Sequence, residues 1–284
     1  ESAEELAWKG QMVGAVGYRS IWECWTYNRL DCGDRFTTGV WFWYHNSPTR
    51  QVCGRMWDWS LEPTAALYYS QDAHEPIHAQ YDFIKNTVSV NNELYEPFKG
   101  TVSIRIFDLN MKLRYEKSCQ VYVQEDRVAN DVMAVVLPGD LSSVHFIRLD
   151  ARDRNGKAVA DTFYWRSTQV YKGKNSYTGP LYGGFEEIEK LPEVALSAKV
   201  KQQGGKYVVT LKNPSESLAF MIQVKLADAK TSKPVRPAFY TDNFFSLLPD
   251  EERTIEVEPY DRQGAGYTMI LDGWNVKNQI LTIH

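Results

Sequence analysis

Cysteine is scarce in this 284-residue chain: there are four, at positions 24, 32, 53 and 119. Their successive spacings of 8, 21 and 66 fit no zinc-ligand pattern, and four thiols are too few for a disulfide scaffold. Buried free thiols are therefore expected, with no metal site and no cofactor. Long apolar runs are also missing. The longest, 132–137 and 39–44, fall far short of the roughly 20 residues that span a bilayer, so no membrane span is expected and the chain should be soluble. Charge of one sign is not in excess either. A formal net charge of −4, with acids and bases interspersed, leaves no basic stripe for phosphates, which argues against nucleic acid as a partner and against an anionic membrane surface. No Asn-x-Ser/Thr glycosylation acceptor occurs. The first residue is Glu1 rather than methionine and no signal-peptide pattern follows, which implies a processed chain or a piece of a longer one.

Aromatic residues, in contrast, are concentrated. Residues 38–59, "TGVWFWYHNSPTRQVCGRMWDW", hold four tryptophans, Trp41, Trp43, Trp57 and Trp59, together with Phe42 and Tyr44. The length has room for two or three domains, and the hydrophobic period changes along it. Residues 3–29 carry apolar side chains at helical spacing, as one long helix or two short ones, with Leu6, Met12, Val13, Val16, Ile21, Cys24 and Trp25 as the expected inward positions. Gly33 and the Asp31/Asp34 pair break that pattern. Residues 39–44 then read as a strand buried on both faces, and a helix should resume near Pro63 and run over 65–71. Helix, buried strand, helix is the order of a parallel α/β fold.

From His74 onward the period is two. "TVSIRIFDLN" (101–110) alternates Val102, Ile104 and Ile106 with polar residues, and "LRYEKSCQVYV" (113–123) follows after a turn. Residues 145–165 read as a hairpin whose Asn155-Gly156 supplies the positive φ of a tight turn. The style repeats in a hairpin around Gly204-Gly205 and in strands at 219–228, 252–259 and 267–274, so two antiparallel sandwiches are expected, joined by a linker at 172–189.

The order "YRSIWECW", "TGVWFWYHNSP", "WDWSLEPTAALYY", "HEPIHAQYD" and "FYTDNFFSLLPDEERTIEVE" resembles the C-terminal part of glycoside hydrolase family 2, especially its β-mannosidase and exo-β-glucosaminidase branches. The resemblance implies a mainly β chain: two immunoglobulin-like β-sandwich domains, 74–171 and 172–284 with the linker, preceded at 1–73 by the truncated C-terminal end of a (β/α)8 barrel. It implies the parent activity too, a retaining β-glycosidase acting on β-mannosides or β-glucosaminides, with a periplasmic or secreted location favoured. Such enzymes need two carboxyl groups about 5–5.5 Å apart. In the family these precede the segment that Glu1 begins, so no catalytic residue is expected here and the chain alone should be inactive. Asn92-Glu93 imitates the family's acid/base dipeptide but follows an alternating strand, and Glu75 and Asp58 read as capping or solvated acids.

The resemblance instead implies substrate contact. Trp43 matches the family's tryptophan at the end of the eighth barrel strand, where an indole face suits the C–H face of a pyranose. Asn46 also matches, and His45 lies beside it. Trp41, Phe42, Trp57 and Trp59 are expected to pack. Thr49-Arg50 replaces the family's Trp-Pro, so Arg50 could meet an acidic sugar or simply be solvated. The expected partners are a carbohydrate substrate, the missing N-terminal part of the barrel, and a second copy of the chain through the exposed barrel remnant, since two βα units leave an apolar face uncovered unless it packs on the first sandwich or refolds locally. The rival reading is a non-catalytic carbohydrate-binding or scaffolding sandwich module.

Overall fold

The computed structural model describes residues 2–29, 39–43, 45–50, 55–171, 181–182, 184–260 and 266–283. The chain divides into two compact units, one of residues 1–19, 42–70 and 192–284 and one of residues 20–41 and 71–191.

Helix α1 (Ala3–Tyr27) starts at a capping box. The Ser2 hydroxyl accepts from the Glu5 amide at 3.1 Å while the Ser2 amide donates to the Glu5 carboxylate at 2.7 Å. The helix ends where the Asn28 side-chain amide donates to the Cys24 carbonyl at 2.7 Å. Its buried side runs through Met12, Ala15, Arg19 and Glu23. This corrects the expected inward set: Leu6, Val13, Ile21 and Trp25 are 47, 74, 39 and 45% exposed, and Cys24 is exposed as well. The helix carries two opposed stripes, and periodicity identifies a stripe without saying what it meets. The chosen stripe is the one whose polar members find partners. Cys119 is half-buried, and Cys32 and Cys53 lie outside the described residues, as do Gly33 and the Asp31/Asp34 pair.

The strand expected over 39–44 is absent from its described part, 39–43, which pairs with no strand. Trp41 is 98% and Trp43 88% exposed, the reverse of a doubly buried strand. An extended segment becomes a strand only through a hydrogen-bonded neighbour, and no described segment supplies one. Helix α2 (Ala65–Ala73) forms as expected. The free amide of Ala65 at its start donates to the Gln11 side chain of α1 at 2.8 Å, and the Tyr69 hydroxyl donates to the Phe244 carbonyl at 3.2 Å.

In the second unit the strands are β1 (Ile77–Asp82), β2 (Thr87–Asn92), β3 (Phe98–Asp108), β4 (Leu113–Val123), β5 (Arg127–Ala134), β6 (Val144–Asp153) and β7 (Ala158–Ser167). They form a three-stranded sheet, β1-β2-β5, and a four-stranded sheet, β4-β3-β6-β7, all antiparallel. Both sheets contribute to one core, in which Val88, Val90, Val102, Ile104, Ile147 and Leu149 are fully buried. The edge strand β4 carries Arg114, Glu116 and Lys117 and is largely exposed, which disfavours pairing with another chain. A two-stranded ribbon, β8 (Val170–Tyr171) with β9 (Leu181–Tyr182), and a short 3-10 turn, Glu186–Lys190, lead to the first unit.

There the strands are β10 (Ser197–Gln203), β11 (Lys206–Lys212), β12 (Ala219–Asp228), β13 (Ala238–Tyr240), β14 (Phe245–Leu247), β15 (Glu252–Pro259), β16 (Tyr267–Asp272) and β17 (Gln279–Thr282). The sheet orders are β10-β11-β15-β13 and β14-β12-β16-β17. Val209, Leu211, Val224, Leu226, Val257, Met269 and Leu271 are fully buried.

One loop device recurs in both sets of strands. The Asn92 side-chain amide donates to the carbonyls of Glu96 and Gln124 at 2.9 and 3.0 Å, and its oxygen accepts from the Leu94 amide at 3.0 Å. Asn213 donates to Ser217 and Leu247 at 2.8 and 3.0 Å and accepts from the Ser215 amide at 3.1 Å. Asn92 is thus a fully buried loop staple.

A buried polar cluster joins α1 to the sheets of the second unit. The Glu23 carboxylate accepts from the Tyr164 hydroxyl at 2.7 Å and from His78 Nε2 at 3.0 Å, and the Glu23 carbonyl accepts from the Gln80 amide at 2.9 Å. All four residues are at most 6% exposed. Glu23→Ala strips the imidazole and the phenol of a buried acceptor, so the urea midpoint should fall by an amount equivalent to about 3 kcal/mol, with Glu23→Gln losing less. An alanine variant as stable as the parent would show that the cluster contributes nothing.

His145 on β6 is 3% exposed, and burial, reinforced by the Arg166 guanidinium, pulls its imidazole down to about 4. The unfolded chain takes up that proton near pH 6.5 and the folded chain does not. Stability from this group is therefore complete above pH 6.5 and drains away as pH falls towards 4, by up to about 3 kcal/mol. His145→Gln should flatten that acid limb in urea titrations between the two pH values; an unchanged limb would assign the loss to other groups.

Candidate functional site

The aromatic-rich segment is held by a compact loop rather than by a barrel strand. Phe42 stacks on Tyr18 of α1, ring centroids 5.0 Å apart and planes within 11°, which fixes the backbone between the exposed indoles of Trp41 and Trp43. Phe42 therefore packs as expected, and Trp41 does not. Beyond the loop's first residues, the His45 carbonyl accepts from the amides of Met56 and Trp57 at 3.1 and 3.3 Å, and the Ser47 amide donates to the Trp57 carbonyl at 3.0 Å. The buried Ser47 hydroxyl closes the turn on the Thr49 carbonyl at 2.6 Å. Trp57 is half-buried and lies edge-on to Phe239 at 6.4 Å, which makes it the packing tryptophan of the group.

Asp58 turns the far end of the loop. One carboxylate oxygen accepts from the Ser60 amide, the Ser60 hydroxyl and the Glu62 amide at 2.7, 2.8 and 2.9 Å, and the Asp58 amide donates to the Glu62 carbonyl at 3.0 Å. The same arrangement occurs at Asp108 and Asp153, whose carboxylates accept from the amides two and four residues on. The fourth residue of each turn, Leu61, Met111 or Gly156, has a φ of 62°, 61° or 81°. The three stretches, "DWSLE", "DLNMK" and "DRNGK", share a pattern legible in the sequence and read there only in part. Asp58 is thus fully engaged as a turn residue, and Glu62 forms an ion pair with Arg236 at 2.5 Å.

On this frame sit the four candidate binding residues. Trp43 is 88% exposed, and His45, Asn46 and Arg50 are exposed. The backbone of Asn46 bridges to Trp57. The Arg50 guanidinium lies over the Trp59 ring, 4.6 Å from its centroid, a cation–π contact that gives Trp59 a role other than the packing expected of it. Tyr44 and residues 51–54 are outside the described residues. Among the described residues no group of three His, Cys, Asp or Glu side chains could hold a metal ion, and no helix is long and apolar enough to cross a membrane.

A profile described as the exo-β-D-glucosaminidase Ig-fold domain matches residues 175–276, which contain β10 to β16 of the second set. Over this part the chain is similar to that Ig-fold domain. Likeness extends well beyond it. The exo-β-D-glucosaminidase of Amycolatopsis orientalis is 26% identical over 95% of this chain and 28% of its own length, and that of Hypocrea jecorina is 26% identical over 97% and 32%. A mannosylglycoprotein endo-β-mannosidase of Lilium longiflorum is 21% identical over 97% of the chain. The crystal structure of the Amycolatopsis orientalis exo-chitosanase CsxA matches with a TM-score of 0.84 at 25% identity, covering 96% of this chain and 34% of that one. A β-D-mannosidase from Dictyoglomus thermophilum shares the fold, with a TM-score of 0.65 at 17% identity over 94% of this chain and 29% of that one. The chain thus spans about a third of the length of the curated relatives it matches.

The frame makes a local prediction. Asp58→Ala removes three acceptor contacts from the turn, so amide hydrogen exchange at Ser60 and Glu62 should quicken and stability should fall by about 1–2 kcal/mol. Unchanged exchange at both amides would show that the turn stands without the carboxylate.

Proposed function

We propose that this chain is the C-terminal part of a retaining β-glycosidase that cleaves a β-mannoside, β-glucosaminide or similar exposed sugar. In this reading the described residues 39–43, 45–50 and 55–64 form one wall of the sugar site. The observation that carries it is the match of nearly the whole chain to a third of several exo-β-D-glucosaminidases. Trp43 offers an indole face to the sugar ring, with Asn46 and His45 as polar neighbours. The catalytic carboxylates belong to the remainder of the barrel. Asp58, the acid nearest the loop, is occupied by the turn it makes, which accords with that assignment.

The uncovered stripe of α1 fits the same proposal. Leu6, Val13, Ile21 and Trp25, with Trp41, present apolar surface of the kind that solvated proteins bury. We assign this surface to the contact with the rest of the barrel, the partner that would make the strand at 39–44 a true strand. With that partner absent, pairing between two copies is the competing outcome.

A second reading, a non-catalytic carbohydrate-binding module, draws on the exposure of Trp41 and Trp43 together. The two readings part on Trp41. The purified chain should release no p-nitrophenol from aryl β-glucosaminides or β-mannosides, and hydrolysis that co-purifies with it would overturn the absence of the carboxylates. In ligand-detected NMR, Trp43→Ala should weaken binding of methyl β-glycosides by roughly tenfold. Trp41→Ala should leave it unchanged if Trp41 faces the barrel. Equal losses at Trp41 and Trp43 would favour the binding module.

A further inference from the structure

The loop's charge is lopsided. Residues 39–57 contain no aspartate or glutamate and carry Arg50, Arg55 and His45. The next acids, Asp58 and Glu62, hold partners of their own in the Ser60 turn and in Arg236. Arg50 has no carboxylate and no hydrogen-bond acceptor among the described residues; its contact is the face of Trp59 at 4.6 Å. That contact matters chemically. Stacking engages the π face of the guanidinium and leaves its in-plane N–H donors for a ligand, while restricting the rotamers that an exposed arginine otherwise samples. A planar, pre-ordered, unneutralised fork is the arrangement that takes an oxyanion through two parallel hydrogen bonds.

We propose that Arg50, held on Trp59, is a specificity determinant for an anionic substituent, a carboxylate or sulfate on the sugar that Trp43 receives. The inference rests on the reading of residues 39–64 as a sugar site, and it narrows the substrate class. Within residues 39–57 no acid is present to favour an ammonium substituent, and the Arg50 guanidinium opposes one. The chain then departs from its glucosaminidase relatives in the charge of the sugar it takes.

The test uses the full 284-residue chain and four probes that differ in one substituent: methyl β-D-glucopyranoside, the corresponding uronate, its 6-sulfate, and methyl β-D-glucosaminide. Affinities are read by NMR titration. The uronate or the sulfate should bind roughly three- to tenfold more tightly than the neutral glycoside, and the amine more weakly than it. The preference should fade in about 0.5 M salt, where charges are screened beyond a few ångströms. In Arg50→Gln the ratio of acidic to neutral affinity should collapse to about one, and Arg50→Lys and Trp59→Ala should each retain part of it. Which acid binds better tells carboxylate from sulfate. Equal binding of acidic and neutral probes, or a preference that survives in Arg50→Gln, overturns the proposal while leaving the sugar site standing. Failure of every probe to bind, or neutral binding indifferent to Trp43→Ala, overturns the sugar site and this inference with it.

Discussion

A helix with two apolar stripes has to be told which one to bury, and in α1 the instruction is the Glu23 carboxylate. Burying a carboxylate is costly unless its oxygens are met by donors, and Tyr164 and His78 meet them at 2.7 and 3.0 Å. Placing Glu23 there turns Arg19, Ala15 and Met12 inward as well, one to each turn of the helix. Leu6, Val13, Ile21 and Trp25 are turned outward by the same rotation. Phe42 then has Tyr18 to stack on, and the segment that bears Trp43 is fixed.

The two sets of strands repeat a solution to a common problem. A chain leaving a buried strand for a loop has carbonyls that lose their sheet partners, and these must be paired or hydrated. Asn92 and Asn213 each supply one side-chain amide to two such carbonyls and one oxygen to the amide two residues on. At hairpins the converse task, accepting from turn amides, falls to the carboxylates of Asp108 and Asp153, and Asp58 performs it inside the aromatic loop. The candidate site is therefore built on turn chemistry borrowed from the sandwiches. Its rigidity comes from hydrogen bonds within the loop rather than from strand pairing.

Exposure gives the loop its functional character. Indoles at 98 and 88% exposure are costly in water, so Trp41 and Trp43 mark apolar surface of the kind that binding covers. Trp57 and Trp59 differ again: one packs on Phe239, and the other holds a cation in place. Four tryptophans of similar sequence context sit in three different environments.

The sequence by itself determined the β architecture, because alternation along β3, β6, β7 and β11 and the Asn-Gly and Gly-Gly turns are local signals that the sheets only had to accept. It also determined a helical pattern over 3–29 and the absence of acids beside Arg50, while whether that pattern made one helix or two was left to the fold. What only the tertiary structure decided is which side of α1 is buried, that 39–43 is not a strand, and which of the tryptophans faces water. Those outcomes depend on partners distant in the chain: Tyr164 is 141 residues from Glu23, and Phe239 is nearly two hundred from Trp57. A period reveals that a face is apolar; what it meets is settled by what else has folded against it.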